Sequence, residues 1–527
     1  MLLIFLEQSG IIIPIHHLGK GFTVLIDKNN KILVYIMKAI CTFVLLISFM
    51  CLFSARWYIR IYGDLGFDSI VFTLQTLGGV QGGLVKEFCA GAALPAIVST
   101  GAASVILFLQ TPKQLKLGKV QIYPLSLPVA LVFTVVISII SIISAADTVG
   151  LPRYLYNKMN DSKIFEEEYV DPATTTITFP EEKRNLVFIF LESMEVTFFS
   201  KEEGGAEDVN LIPELYSLAE ENVSFSHNEG IGGFRCVGGT SWTIGAMVGQ
   251  SAGIPLKTPD NVEHWQNGYG QEGVFLPGVT ALSDILHENG YYQSLMVGSK
   301  SAFGGRSTYY STHNVDTIYD IYSAREDGIV PKDYYVWWGM EDLYLFEYAK
   351  QELTEISAQE QPFAFTMLTV DTHHIDGYVC KYCEDIYDEQ YENVMACSSR
   401  QVLEFVEWIQ QQDFYENTTI VICGDHPSMD REYFWRNIDP NYTRRVYNCF
   451  INAAVETDYE KNRDFTTLDI FPTTLAAMGC TIEGERLGLG VNMFSGEKTL
   501  AEEMGYEQFN SQVDMASDYY ATHFRNE

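Results

Sequence analysis

The sequence predicts an α/β protein: transmembrane helices at the N-terminus, then a globular part built on a central, mostly parallel sheet. Three observations carry this. Three apolar runs of membrane length fall within residues 1–146, and short, fully apolar runs alternate with helical stretches after Arg184. Acidic and histidine residues stand directly behind those short runs. The 527 residues carry 34 Lys and Arg against 68 Asp and Glu, for a net charge of -34. That balance excludes phosphate-backbone recognition of nucleic acid. With 47% hydrophobic residues, the chain is not a disordered acidic one either.

The apolar runs are Ile32–Phe53, broken only by Lys38, then Phe88–Leu109, rich in Ala and Gly, and Leu125–Ser144, dense in Val and Ile. Each can cross a hydrocarbon layer of about 30 Å. A buried helix of a soluble core is the competing reading, and three such runs so close together disfavour it. Lys20, Lys28 and Lys31 precede the first run, and Lys113, Lys116 and Lys119 separate the second from the third. Placed in the cytoplasm, they put the segment from Arg56 to Lys86 and everything after Asp147 outside, with Arg56 and Arg60 counting against this orientation. The outer segment, with Phe67, Ile70, Phe72 and Leu74, is expected to lie along the membrane surface. Residues 1–26 are apolar but interrupted by Glu7, Pro14, His16 and His17, which leaves a fourth span, an interfacial helix or a displaced start open. No cleavable signal is evident. The domains expected are 1–146 in the membrane, a linker over 147–183 marked by Pro152, Pro172 and Pro180, and an outer domain over 184–527.

Asn185–Leu191, Gln293–Val297, Phe363–Val370 and Thr418–Cys423 read as buried parallel strands. Sites in such sheets lie beyond the carboxyl ends of the strands. Those ends carry Glu192, the run Asp371-Thr-His-His374, and Asp425-His426, a set that points to a metal. In the stretch Gly238–Val248 the paired glycines suit a tight turn, and Thr240 is expected to open a helix. A hydroxyl there is more commonly a helix cap than a nucleophile. Of ten cysteines, Cys380, Cys383 and Cys397 fall close together, and a structural disulfide from Cys397 to one of the other two is expected. A lone Cys-x-x-Cys also suits zinc or redox chemistry, but no second pair completes a zinc site.

LESME (191–195), GGTSWTIGAMVGQSAGIPL (238–256), DTHHIDGY (371–378) and CGDH (423–426) occur in order. Together they closely resemble the bacterial phosphoglycerol transferases, which comprise phosphoglycerol transferase I and the lipoteichoic acid synthases. That family lies within the alkaline phosphatase/sulfatase-like superfamily. The resemblance implies a sulfatase-like catalytic domain outside the bacterial plasma membrane, tethered by the multi-pass N-terminus. It implies one divalent metal on Glu192, Thr240, Asp425 and His426, with Mn2+ or Mg2+ suited to so oxygen-rich a set. Thr240 would be the nucleophile, phosphatidylglycerol the donor lipid, and a glycan, glycolipid or teichoic acid chain the acceptor. His373 would bind substrate or protonate the leaving alkoxide, Arg306 would contact the phosphate, and His374, Asp376 and Trp338 would line the acceptor or glycerol pocket. Competing readings are a sulfatase or phosphodiesterase, a phosphoethanolamine transferase, and a non-catalytic membrane protein that binds lipid or glycan. Thr240-Ser-Trp-Thr-Ile244 lacks the Pro and Arg of the sulfatase C/S-x-P-x-R stretch, and the intact acidic and histidine set speaks against a dead copy.

Overall fold

Apolar side chains point outward in the N-terminal part of the chain, the reverse of a soluble bundle. The computed structural model describes residues 31–62, 67, 86–108, 115–117, 120–122, 127–257 and 273–525. They form two compact units, one over residues 1–60 and 69–152, the other over 61–68 and 153–527. Residues 1–26, Lys20, Lys28, Lys113, Lys119 and the expected surface segment at Ile70, Phe72 and Leu74 lie outside the described residues.

Among the described residues, the first unit holds three helices long and apolar enough to cross a membrane: α1 (Val34–Arg60), α2 (Lys86–Phe108) and α3 (Leu127–Thr148). On α3, Thr134, Ser138 and Ser141 are buried while Ile139, Ile140 and Ile143 are exposed. The Thr134 hydroxyl donates back to the Ala130 carbonyl at 2.9 Å, and Ser104 on α2 donates to Thr42 on α1 at 3.1 Å. Small and polar residues inside with aliphatic residues outside is the arrangement that lipid, as the surrounding solvent, favours.

The second unit is built on a six-stranded sheet. Its strands are β1 (Asn185–Leu191), β2 (Tyr292–Val297), β3 (Thr317–Tyr319), β4 (Phe363–Leu368), β5 (Thr418–Gly424) and β6 (Asn448–Ile451), in the order β3-β2-β4-β1-β5-β6. All neighbours are parallel except β5 and β6. Leu186 lies opposite Ala364 and Thr419, and Phe190 opposite Leu368 and Cys423, so β1 is central. Its alternate residues feed two cores. Leu186, Phe188 and Phe190 face one layer, with helix α5 (Thr243–Ala252), and Val187, Ile189 and Leu191 face the other, with α7 (Asp342–Ser357) and α8 (Gln390–Gln410). A strand covered on both faces has no polar side, which is why it reads as an unbroken apolar run. Two shorter helices, α4 (Pro213–Glu221) and α6 (Arg306–Thr312), complete the elements needed below.

Residues 153–183 do not form a free linker. Ile164 and Phe165 are buried, with Phe165 edge-on to Tyr520 and Phe524 near the C-terminus. Ile177–Thr178 pairs with Thr481–Ile482, and Arg486 bonds Glu168. The packing partners lie over 300 residues away, so local sequence carries no periodicity to announce them.

Candidate active site

Three buried ligating groups converge beyond the carboxyl ends of β1 and β5. Glu192, Asp425 and His426 are at most 3% exposed, and one ligand atom from each lies within 4.8 Å of the others. The backbone locks them there. Glu192 N–H donates to Thr369 Oγ1 at 2.9 Å, Ser193 N–H to Asp425 Oδ1 at 2.8 Å, and His426 N–H to the same Asp425 oxygen at 2.7 Å. Ser193 adopts a φ of 58°, which turns the chain sharply off the strand. His426 Nδ1 lies 2.9 Å from the Pro427 carbonyl, which can only accept, so Nδ1 carries the hydrogen and Nε2 presents its lone pair. Nε2 faces Asp425 Oδ2 at 3.3 Å and Glu192 Oε1 at 3.6 Å.

The electrostatics fit a cation. Burial and the neighbouring Glu192 charge hold the Asp425 carboxyl well above the carboxylate range. Burial also pushes Glu192 up, but His373, His426 and Arg306 outweigh it and bring that group down. Two buried carboxyls with an imidazole lone pair between them form the donor set of a hard or borderline divalent ion.

The hydroxyl at this cluster belongs to Thr243, and this corrects the expectation for Thr240. Thr243 Oγ1 lies 3.3 Å from Glu192 Oε2 and 3.4 Å from His426 Nε2. Thr240 is fully buried and turned away, its hydroxyl donating to the Val237 carbonyl at 2.8 Å and bonding Thr467 Oγ1 at 3.1 Å. The reason lies in where the helix begins. Gly239 takes a φ of 84°, Trp242 remains extended as the N-cap, and Thr243 is the first residue of α5. The Ala246 N–H closes the first turn on the Trp242 carbonyl at 2.8 Å, so the amides of Thr243, Ile244 and Gly245 have no carbonyl partner within the helix. A Cβ on Gly245 would stand 2.4 Å from the Gly239 carbonyl, so the turn and the first helical turn pack backbone on backbone. The far end is tied as well, with the Gln250 amide donating to the Gly424 carbonyl at 2.9 Å.

The remaining expected residues divide. Arg306, 4% exposed at the start of α6, donates to Ser299 Oγ at 2.7 Å and to the Lys300 and Phe303 carbonyls. Burial lowers its guanidinium to about 10, opposed by the charges of Glu192 and Asp425, so it stays a cation beside the cluster. His373 stacks on His374, with ring centroids 4.4 Å apart, and its ring lies 4.5 Å from that of Trp338 at a tilt of 48°. Burial lowers His373 while Glu192 opposes it, and burial with the other two histidines drives His374 well down. Asp376 stands apart: its N–H donates to Asp430 Oδ2 at 2.6 Å, and its charge neighbours are Arg436, Glu389 and Glu432. Asp371 also stands apart, grouped with Glu341 and Cys380. Burial pushes the thiol of Cys236, four residues before Thr240, up to about 12, which disfavours the nucleophilic thiolate.

Sequence reasoning missed Phe303, whose ring lies 5.6 Å from Trp338, and the Glu195–Arg444 pair. Glu195 is fully buried, ion-paired to Arg444, and accepts the Ser428 N–H at 2.9 Å, which fixes the loop just after His426. Glu195 sits in the quoted LESME motif, but its partner lies 249 residues on.

Among known proteins, the family model described as Sulfatase matches residues 184–480, more than half of the chain. Phosphoglycerol transferase I of Xanthomonas campestris pv. campestris (strain B100) is 29% identical over 304 residues, covering 56% of this chain and 41% of the relative. Phosphoglycerol transferase I of Escherichia coli (strain 55989 / EAEC) is 31% identical over 344 residues, covering 63% and 41%. The chain thus spans about two fifths of the length of these curated relatives. Among solved structures, the lipoteichoic acid synthase LtaP from Listeria monocytogenes is similar at 17% identity, over 61% of this chain and 79% of that one, with a TM-score of 0.47. The parallel sheet, the buried acid and histidine groups at its strand ends and the family match lead to one conclusion: this chain belongs to the Sulfatase family.

Proposed function

We propose that this chain is a membrane-bound phosphoglycerol transferase. It moves sn-glycerol 1-phosphate from phosphatidylglycerol to a hydroxyl of a cell-surface or periplasmic glycan or a teichoic acid chain. The observation that carries the reading is the Thr243 hydroxyl, held within 3.4 Å of both a Glu192 oxygen and the His426 lone pair at an open helix end. Support also comes from relatives named phosphoglycerol transferase I. Glu192, Asp425, His426 and Thr243 would hold one divalent cation, with Mn2+ or Mg2+ suited to this oxygen-rich set; when bound, it supplies positive charge for the hydroxyl and the phosphoryl group.

Thr243 Oγ1 attacks the phosphorus and the bond from phosphorus to the diacylglycerol oxygen breaks. Glycerophospho-Thr243 remains in the site. The proton lost by Thr243 ends on the diacylglycerol oxygen, and His373, whose pKa burial lowers, is the residue suited to take it up and pass it on. Arg306 and the open amides of the first turn of α5 face the charge on the phosphoryl oxygens. An acceptor hydroxyl then attacks the same phosphorus, Thr243 leaves, and its proton is restored. The three apolar helices would tether the chain to the bilayer that holds the donor and the diacylglycerol product. In this reading they cross the plasma membrane and the second unit works outside.

The test is diacylglycerol release from fluorescent phosphatidylglycerol by the full chain in detergent with Mn2+, beside Thr243→Ala. Release that needs both the ion and Thr243 is expected. Release of free glycerol phosphate at the same rate with or without an acceptor glycan would make the protein a hydrolase. Turnover of phosphatidylethanolamine alone would make it a phosphoethanolamine transferase.

A further inference from the structure

We infer that Cys380, Cys383 and Cys397 form a second metal site, a three-thiolate cradle for a thiophilic divalent cation such as Zn2+. It is independent of the reading above. Cys380 Sγ lies 3.7 Å from both Cys383 Sγ and Cys397 Sγ, and all three sulfurs are within 4.8 Å of one another. Thiolates around tetrahedral zinc, at about 2.3 Å each, stand about 3.8 Å apart, which is the spacing found on both sides of Cys380. The expected disulfide is not formed: all three cysteines are free, and a bridge would use two and strand the third.

The surroundings favour thiolate and cation. In the turn Cys380-Lys-Tyr-Cys383, the Cys383 N–H closes on the Cys380 carbonyl at 3.1 Å and the Tyr382 N–H donates to Cys380 Sγ at 3.3 Å. The Gln401 amide donates to Cys397 Sγ at 3.5 Å. Donors aimed at sulfur stabilise the deprotonated form that binds metal. Cys380 and Cys397 are buried, and Asp371, 2% exposed, has neither carboxylate oxygen hydrogen-bonded and lies with Glu341 beside Cys380. Carboxyl groups crowd one side, and the half-buried Cys383 leaves solvent access for the ion and a fourth, water ligand. Bound metal would pin the loop that follows His373 and His374 to α8, which carries Cys397.

The full chain in detergent, reduced and then freed of reductant, is titrated with Co2+ as a zinc surrogate. A near-ultraviolet thiolate-to-cobalt charge-transfer band is expected, displaced by a single equivalent of Zn2+. Cys397→Ser should weaken Co2+ binding at this site by ~10-fold or more, while Asp425→Asn leaves the band intact. Wild-type protein gives a readout free of folding effects: Zn2+ should protect these three thiols from maleimide, mapped by mass spectrometry. Absence of the band and of protection in folded protein would overturn the inference. So would a disulfide from Cys380 to either neighbour that re-forms after reduction in the presence of Zn2+.

Discussion

The same domain carries two buried clusters of opposite chemistry. Glu192, Asp425, His426 and Thr243 gather oxygen and nitrogen at the ends of β1, β5 and α5, whereas Cys380, Cys383 and Cys397 gather sulfur between a loop and α8. In the first, strand ends and their backbone amides fix every group, which suits a site where a reacting hydroxyl must be held to a fraction of an ångström. In the second, one turn and one helix supply everything, which suits a clamp.

The largest effect expected is on the first cluster. Thr243→Ala should lower turnover by about 10^4-fold or more, while Thr240→Ala, which loses only the bonds to Val237 and Thr467, should stay within about tenfold of wild type. Parallel initial rates decide which threonine matters. Next comes a crossed pair: Glu192→Gln should weaken Mn2+ binding and lower activity together, the latter by about 10^2-fold or more, and leave the Co2+ thiolate band unchanged. Cys397→Ser should do the reverse. Metal content and rates on both variants check this, and any crossover would break the separation of the clusters.

Stability effects are smaller. Arg444→Met strands the buried Glu195 carboxylate and should cost about 2–4 kcal/mol, less than a fully buried pair because Arg444 is partly exposed. Denaturant unfolding measures it. The smallest effect is a pH dependence away from both clusters. Burial pushes the Glu207 carboxyl, which accepts from Tyr433, up to about 7. The folded chain therefore holds this proton more tightly than the unfolded one. The stability it contributes is present below the ordinary carboxyl pKa and is lost as pH rises towards 7, with no further change above. Glu207→Gln does not titrate, so its melting temperature should gain on wild type between about pH 4.5 and 7. A constant difference across that window would contradict the assignment.

The sequence made the central strands legible because burial on both faces leaves apolar runs such as NLVFIFL, and it placed Glu192, Asp425 and His426 at their ends. β3 and β6 escaped: Thr317–Tyr319 is short and half-buried, and Asn448–Ile451 is an antiparallel edge of four residues. Two hydroxyls stand three residues apart in the motif, and a motif does not say which of them a helix start brings to the cluster; here it is Thr243. Every residue from Ile244 to Ala252 is buried, so no one-sided stripe marks where the helix starts, and only Gly253, at a φ of 64°, signals where it ends. The Glu195–Arg444 pair and the packing of Phe165 depend on partners hundreds of residues away, which no local pattern encodes.

The most direct test of the account is to stop the full chain during turnover of phosphatidylglycerol with Mn2+ and map the covalent adduct by peptide mass spectrometry. Glycerophosphate on Thr243, absent in Asp425→Asn, is the predicted result. The same adduct on Thr240, or turnover that continues in Thr243→Ala, would contradict it.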